Sequence, residues 1–127
     1  MYLVQLQKTI HDIAKDKGFW DKERNVGELL MLCVSELGEA LEAHRKDRFA
    51  DKDQHYRNLQ GVDSTVFRRA EKESFELEIK DTFEDEIADT VIRLLDLAEG
   101  LDIDLEWHIN EKMKYNKTRE KLHGKKY

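Results

Sequence analysis

Three glutamates recur at intervals of three in the segment SELGEALEA, residues 35–43. They are Glu36, Glu39 and Glu42, and on a helix this spacing stacks side chains along one side. At about 100° per residue, five apolar residues lie within roughly 60° of Glu36: Leu29, Leu32, Cys33, Ala40 and Ala43. A carboxylate in such surroundings is costly unless a basic side chain, a shared proton or a metal cation compensates it. The segment therefore predicts a compensated carboxylate at Glu36, with Glu39 at the edge of the same surface.

A second pair of acids follows in the segment EDEIADTVIRLLDLA, residues 84–98. Glu86 and Asp89 are three apart, and on a helix they share an arc with Arg93 and Asp96, away from the apolar residues. If this helix packs beside the first, four carboxylates converge: Glu36, Glu39, Glu86 and Asp89. All four offer hard oxygen ligands, which favour Mg²⁺ or Mn²⁺ over zinc.

Other interpretations of these acids stay open at this point. Glutamates three apart on a helix are common and are usually only solvated surface charge. A di-iron carboxylate bundle would use Glu-x-x-His pairs on its helices, and no histidine in the predicted helices has that spacing. The pattern therefore favours a magnesium site over a di-iron site.

The segment EKMKYNKTR, residues 111–119, carries a third group. Lys112, Asn116 and Arg119 lie at i, i+4 and i+7, so a helix places them on one face. Two cations and an amide donor suit phosphate oxygens, and arginine can bind them as a fork. The alternative is a solvated basic helix end, which the helix dipole favours.

The sequence predicts four helices, which would carry these groups. Apolar residues recur at helical spacing, and proline is absent. We predict helices over about 2–17, 26–46, 82–99 and 103–120, with Asn25 and Asp102 as caps of the second and fourth. Thr82 and Asp85 resemble a capping box at the start of the third helix, with aspartate where glutamate is usual. Residues 47–80 read as an irregular connection with room for a short helix after Asp63 or Ser64. The predicted fold is an all-α, four-helix bundle-like single domain over residues 1–127.

Two further features concern packing. On the second helix, Leu30, Val34, Leu37 and Leu41 form a stripe that predicts an ordinary core face. The helix is then apolar on nearly its whole circumference, so we expect a homodimer or a dimer of dimers to cover the excess. In the loop after the first helix, Phe19 and Trp20 either plug one end of the bundle or form a wall of a ligand pocket.

The composition and charge limit which kinds of partner and cellular compartment we expect. The formal net charge is −6, which argues against an extended nucleic-acid footprint. Cys33 is the single cysteine, which fits a reducing cytoplasm. No apolar run approaches the roughly 20 residues of a membrane span, and the N-terminus lacks a signal-peptide pattern. We therefore expect a cytoplasmic protein without a nucleic-acid polymer or a membrane as partner.

Taken in order, the three segments resemble the MazG-type, all-α nucleoside triphosphate pyrophosphohydrolases. SELGEALEA is similar to the family's glutamate-rich helix, DEIADTVIRLLDLA to its later Glu-x-x-Asp helix, and EKMKYNKTR to its closing Lys/Asn/Arg segment. Many members begin the first motif with two adjacent acids, whereas this chain has Ser35 before Glu36. Residues 47–80 have no counterpart in the resemblance.

The resemblance implies Mg²⁺-dependent hydrolysis of an NTP or dNTP to the monophosphate and pyrophosphate. Glu36, Glu39, Glu86 and Asp89 would hold the metal on the triphosphate oxygens, with Glu36 and Glu39 as catalytic acids. A carboxylate or the metal would supply the water that attacks the α-phosphorus. The resemblance further assigns phosphate binding to Lys112, Asn116 and Arg119 and stacking on the base to Trp20 or Phe19. The rival function is a non-catalytic helical dimerisation or regulatory module whose acids are only surface charge.

Overall fold

A computed structural model describes residues 2–127, and every regular element in that range is helical. The elements are α1 (Leu3–Asp16), α2 (Val26–Arg45), α3 (Lys52–Leu59), α4 (Phe67–Glu78), α5 (Phe83–Gly100), α6 (Leu105–Lys117) and a short 3₁₀ helix (Lys121–Gly124). The predicted all-α class is confirmed. The four predicted helices correspond to α1, α2, α5 and α6, and the last ends three residues earlier than predicted.

The prediction of an irregular connection over residues 47–80 is wrong in its first half, because that segment contains α3, which was not predicted. The second helix of the segment, α4, lies where a short helix after Asp63 or Ser64 was predicted to fit. Asp51 caps α3 by accepting a hydrogen bond from the Gln54 backbone N–H at 2.9 Å. The two helices meet around the buried Ser74 hydroxyl, which lies 2.9 Å from His55 Nδ1 and accepts from Asn58 Nδ2 at 3.1 Å. Polar contacts thus join helices whose apolar content is too thin to mark them in the sequence.

The helix starts show which local signals operate. Asn25 caps α2 as predicted, accepting from the Glu28 N–H at 3.0 Å. Asp104, rather than the predicted Asp102, caps α6 by accepting from Trp107 N–H at 3.1 Å. Asp102 instead adopts a left-handed turn, with φ of 55°, a conformation that aspartate tolerates better than most residues.

The chain divides into two compact units. The central unit runs from Asn25 to Arg93, and the terminal unit combines the chain up to Arg24 with the chain from Leu94 onward. The helix α5 contributes its residues up to Arg93 to the central unit and the rest to the terminal unit. Across residues 2–127, no helix combines the length and apolarity that a membrane-spanning segment requires.

The two apolar faces of α2 differ in burial, and the outcome reverses the expected core. The side that carries Glu36 is the buried one, with Leu29, Cys33, Ala40 and Ala43 in the core. The predicted core stripe is about half exposed, between 47% and 52% for each of its members: Leu30, Val34, Leu37 and Leu41. On the apolar side of α5, burial differs along the helix: Leu95 and Ala98 near its C-terminal end are buried, whereas Ile87, Val91 and Leu94 are exposed.

Candidate metal centre

The α2 glutamates differ in environment as the helical pattern predicts. Glu36 is buried, because it lies on the same side of α2 as the core residues Cys33 and Ala40. Glu39 is exposed at the edge of that side. Glu42 is exposed further round and pairs with Lys46 one turn later, at 2.8 Å. The hydrogen bond from Lys46 lowers the pKa of Glu42, so Glu42 belongs to the charged surface.

The α5 acids complete a compact group with Glu36. A carboxylate oxygen from each of Glu36, Glu86 and Asp89 lies within 4.8 Å of the other two. The oxygens around one Mg²⁺ lie about 3–4 Å apart, given metal–oxygen distances of about 2.1 Å. Small side-chain rotations would therefore bring the three onto one cation. Glu39 is not a member of this three-atom group, although it is close enough to affect Glu86 electrostatically.

The start of α5 fixes the orientation of its acids. Asp85 N–H donates to Thr82 Oγ1 at 3.4 Å, and the Asp85 carboxylate accepts from Asp81 N–H at 2.9 Å. The predicted capping pair of Thr82 and Asp85 thus forms, with the return bond one residue earlier than in the usual box. Asp85 is engaged in this contact, which disfavours it as a further metal ligand.

Glu86 is the most constrained acid of the group. Its side chain is 4% exposed, and Oε2 is buried without a hydrogen-bond partner among residues 2–127. Burial, followed by the closeness of the Glu36 and Glu39 carboxylates, raises the pKa of Glu86 to about 7. Burial and the neighbouring Asp85 and Glu36 charges also raise the pKa of Asp89. In the absence of a cation, the group therefore favours retaining a proton on Glu86.

Glu36 is compensated differently, by a cation from α5. Arg93 Nε donates to Glu36 Oε1 at 2.6 Å. The Glu36 side chain is 9% exposed and that of Arg93 is 38% exposed. The sequence placed Arg93 on the arc of Glu86 and Asp89 but did not predict this pair, because a contact between α2 and α5 depends on how the helices pack. Of the three possible compensations, the structure shows the basic partner at Glu36, and the raised pKa of Glu86 favours the retained proton.

The predicted phosphate-binding residues lie in the terminal unit, at the end of α6. Lys112 Nζ lies 5.1 Å and the Arg119 guanidinium carbon 5.6 Å from the centre of the Tyr115 ring. Asn116 Oδ1 is buried without a partner among residues 2–127, so its amide has unused hydrogen-bonding capacity. Because α6 ends at Lys117, Arg119 follows the helix rather than belonging to it, and its Nη2 donates to the His123 carbonyl at 3.4 Å.

Trp20 is held inside the terminal unit. Its indole Nε1 donates to the two Asp96 carboxylate oxygens at 2.9 and 3.1 Å, and His11 Nδ1 lies 2.8 Å from the same carboxylate. The ring also lies against Gly100, where a Cβ would come within 2.3 Å of it. These contacts support the plug interpretation for Trp20. Phe19 is largely exposed, so its side chain is accessible to a ligand.

One Glu-x-x-His spacing does occur in the chain, and its histidine lies beyond the end of the fourth predicted helix. Glu120 and His123 lie in the closing segment, where both are exposed and His123 has a positive φ of 50°. A di-iron bundle needs such pairs on facing helices in a core. This spacing therefore does not change the preference for an all-carboxylate centre.

Comparison of the chain with models of known protein families, with curated proteins and with solved structures finds no match in any of the three. The resemblance to MazG-type enzymes therefore rests on the three sequence segments and their order along the chain.

Proposed function

We propose that this protein is a Mg²⁺-dependent nucleoside triphosphate pyrophosphohydrolase of the MazG type, which converts an NTP or dNTP to the monophosphate and pyrophosphate. The observation that carries the proposal is the group of three carboxylates from Glu36, Glu86 and Asp89, of which the first two are buried. A surface-charge role does not account for it, because Glu86 is almost fully buried and one of its oxygens has no donor among residues 2–127.

The donor set fits a hard divalent cation. The three oxygens come from carboxylates alone, and Glu39 lies close to Glu86 but outside the group. No sulfur or imidazole ligand belongs to this group, which favours Mg²⁺ or Mn²⁺ over zinc. The orphaned Glu86 Oε2 would gain a partner when a cation binds. A cation bound here supplies charge neutralisation for the triphosphate and lowers the pKa of water.

The other roles in the proposed reaction belong to side chains of this protein. In the proposal, Glu36, Glu86 and Asp89 hold the cation, and the exposed Glu39 accepts the proton of the attacking water. The water oxygen forms a bond to the α-phosphorus, and the bond from that phosphorus to the bridging oxygen breaks. Pyrophosphate leaves with the electron pair of the broken bond.

Phosphate binding is assigned to Lys112, Asn116 and Arg119. Charge-assisted hydrogen bonds from lysine and arginine suit the charge that grows on the leaving pyrophosphate. The unused hydrogen-bonding capacity of Asn116 supports this role. For the base, the exposed Phe19 is the better stacking candidate, because Trp20 is engaged by Asp96 and Gly100.

The α2 stripe favours assembly. Its four members are half exposed although they are large and apolar, and a second copy of the chain would cover them. We include a homodimer, or a dimer of dimers with a bundle completed by the assembly, in the proposal. The same stripe is the observation that favours the second candidate, a non-catalytic dimerisation or regulatory module.

Metal-dependent nucleotide binding separates the two candidates. We expect calorimetry to show binding of a non-hydrolysable triphosphate analogue in Mg²⁺ and little binding in EDTA. Glu36→Gln should abolish the metal-dependent part. Glu42→Gln, on the same helix but paired with Lys46 at the surface, is the matched control and should bind like the wild type. Nucleotide binding that ignores both Mg²⁺ and Glu36 would favour the module.

A further inference from the structure

The pair between Arg93 and Glu36 joins the candidate metal centre to a cation already present in the chain. Arg93 Nε donates to Glu36 Oε1 at 2.6 Å, a short, charge-assisted hydrogen bond. Nε is the one guanidinium nitrogen of Arg93 with a hydrogen-bond partner among residues 2–127. Glu36 is buried, whereas more than a third of the Arg93 side chain is open to solvent. The arginine therefore neutralises the acid from the solvent side.

A divalent cation and this guanidinium would use the same carboxylate. Glu36 belongs both to the Arg93 pair and to the three oxygens that can converge on a metal. The guanidinium of an arginine keeps its positive charge throughout the physiological pH range. Two cations at one carboxylate repel each other, so the entering metal disfavours the pair. Arg93 can move away at little cost, since its side chain is long and partly exposed.

The released guanidinium stays on the helix that carries two of the metal-binding acids. Arg93 follows Asp89 by four residues and Glu86 by seven, so all three lie along one side of α5. A phosphate bound to the metal would bring anionic oxygens to this side. The planar guanidinium fork matches such oxygens better than any other side chain.

We propose that Arg93 is a counter-ion that a divalent metal displaces from Glu36, and that the displaced guanidinium then binds a phosphate oxygen of the metal-bound nucleotide. This inference rests on the proposed function, and it adds a positioning and phosphate-binding residue to the site. It makes Arg93 oppose metal binding in the absence of nucleotide and support nucleotide binding once the metal is present.

Replacing Arg93 should strengthen metal binding and weaken nucleotide binding, so one variant tests both effects. For Arg93→Met, titration with Mn²⁺ alone, followed by electron paramagnetic resonance, should show affinity about tenfold tighter than wild type. In saturating Mg²⁺, the affinity for a non-hydrolysable triphosphate analogue should fall by about tenfold or more. These factors correspond to the loss of one charged contact. Arg69→Met is the control, because Arg69 pairs with Glu73 at the surface, and it should change neither affinity.

NMR of the wild-type protein tests the same inference without relying on the folding of a variant. The Arg93 Nε–H signal in ¹⁵N NMR should exchange slowly in EDTA, faster after Mg²⁺ is added, and slowly again when the analogue binds. If both affinities of Arg93→Met fall together or stay unchanged, or if Mg²⁺ leaves the Nε–H exchange unaltered, Arg93 is a scaffold for Glu36 and the inference is wrong. A wild-type protein that binds no Mn²⁺ would instead refute the proposed function itself.

Discussion

Glu86→Gln should stabilise the metal-free protein, although it removes a buried side chain's charge from the candidate site. Glu86 is 4% exposed, its Oε2 has no donor among residues 2–127, and the Glu36 and Glu39 carboxylates are close. An amide of nearly the same shape removes the repulsion. It also supplies an N–H₂ group that can donate to a neighbouring carboxylate.

The expected gain follows from the pKa of Glu86. A pKa raised from 4.5 to about 7 corresponds to roughly 3 kcal/mol against the ionised form. The repulsion is spread over several acids, and solvent screens part of it. We therefore expect Glu86→Gln to raise the free energy of unfolding by about 1–2 kcal/mol at pH 8. For a chain of this size, that amounts to a rise in the melting temperature of about 4–8 °C.

The pH dependence of the difference provides an internal check. Because the folded-state pKa of Glu86 is raised, its stabilising contribution is complete below about pH 4.5 and is lost as the pH rises through about 7. The advantage of the Gln variant should therefore vanish below about pH 4.5 and be complete above about pH 7.

Thermal unfolding in EDTA at a series of pH values measures this directly. Mg²⁺ at about 100 times its dissociation constant should stabilise the wild type by about 2.7 kcal/mol and the variant much less. Glu73→Gln, at the exposed pair with Arg69, is the control and should change stability by under about 1 kcal/mol. A Gln variant that is less stable than the wild type in EDTA at pH 8 would refute the reasoning, because it would mean that the Glu86 carboxylate makes a stabilising contact.

Three other predictions concern protons, assembly and packing. Mg²⁺ binding at pH 6–7 should release up to about one proton, mainly from Glu86; calorimetry in buffers of different ionisation enthalpy would show no release if Glu86 is already ionised. Leu37→Glu should convert an oligomer to a folded monomer, because Leu37 is half exposed; light scattering with an unchanged mass would contradict the proposed interface. Gly100→Ala should cost about 1–3 kcal/mol, because its Cβ would overlap the Trp20 ring; an unchanged melting temperature would show that the ring moves freely.

The long helices could be predicted from the sequence because local signals agree there. Apolar spacing, the Asn25 cap and the Thr82–Asp85 start all operate as expected. The helix α3 was not predicted, because its contacts with α4 are polar and centre on Ser74. No periodicity of apolar residues records such contacts.

For the candidate metal centre, the sequence predicted which acids share one side of a helix. Four converging carboxylates were predicted, and the structure brings three of them together, Glu36, Glu86 and Asp89, with Glu39 outside the group. The bond from Arg93 to Glu36 was missed, since it depends on the packing of α2 against α5. The predicted core face of α2 was wrong, because both faces are apolar and only the fold decides which one is covered.

Pyrophosphate release tests the central proposal most directly. Purified protein would be given a panel of nucleoside triphosphates with Mg²⁺, and the products would be separated and identified without added pyrophosphatase. We expect equal amounts of monophosphate and pyrophosphate from at least one substrate, with no reaction in EDTA or in the Glu36→Gln variant. Stepwise appearance of diphosphate and single phosphate, or turnover that persists without metal, would contradict it.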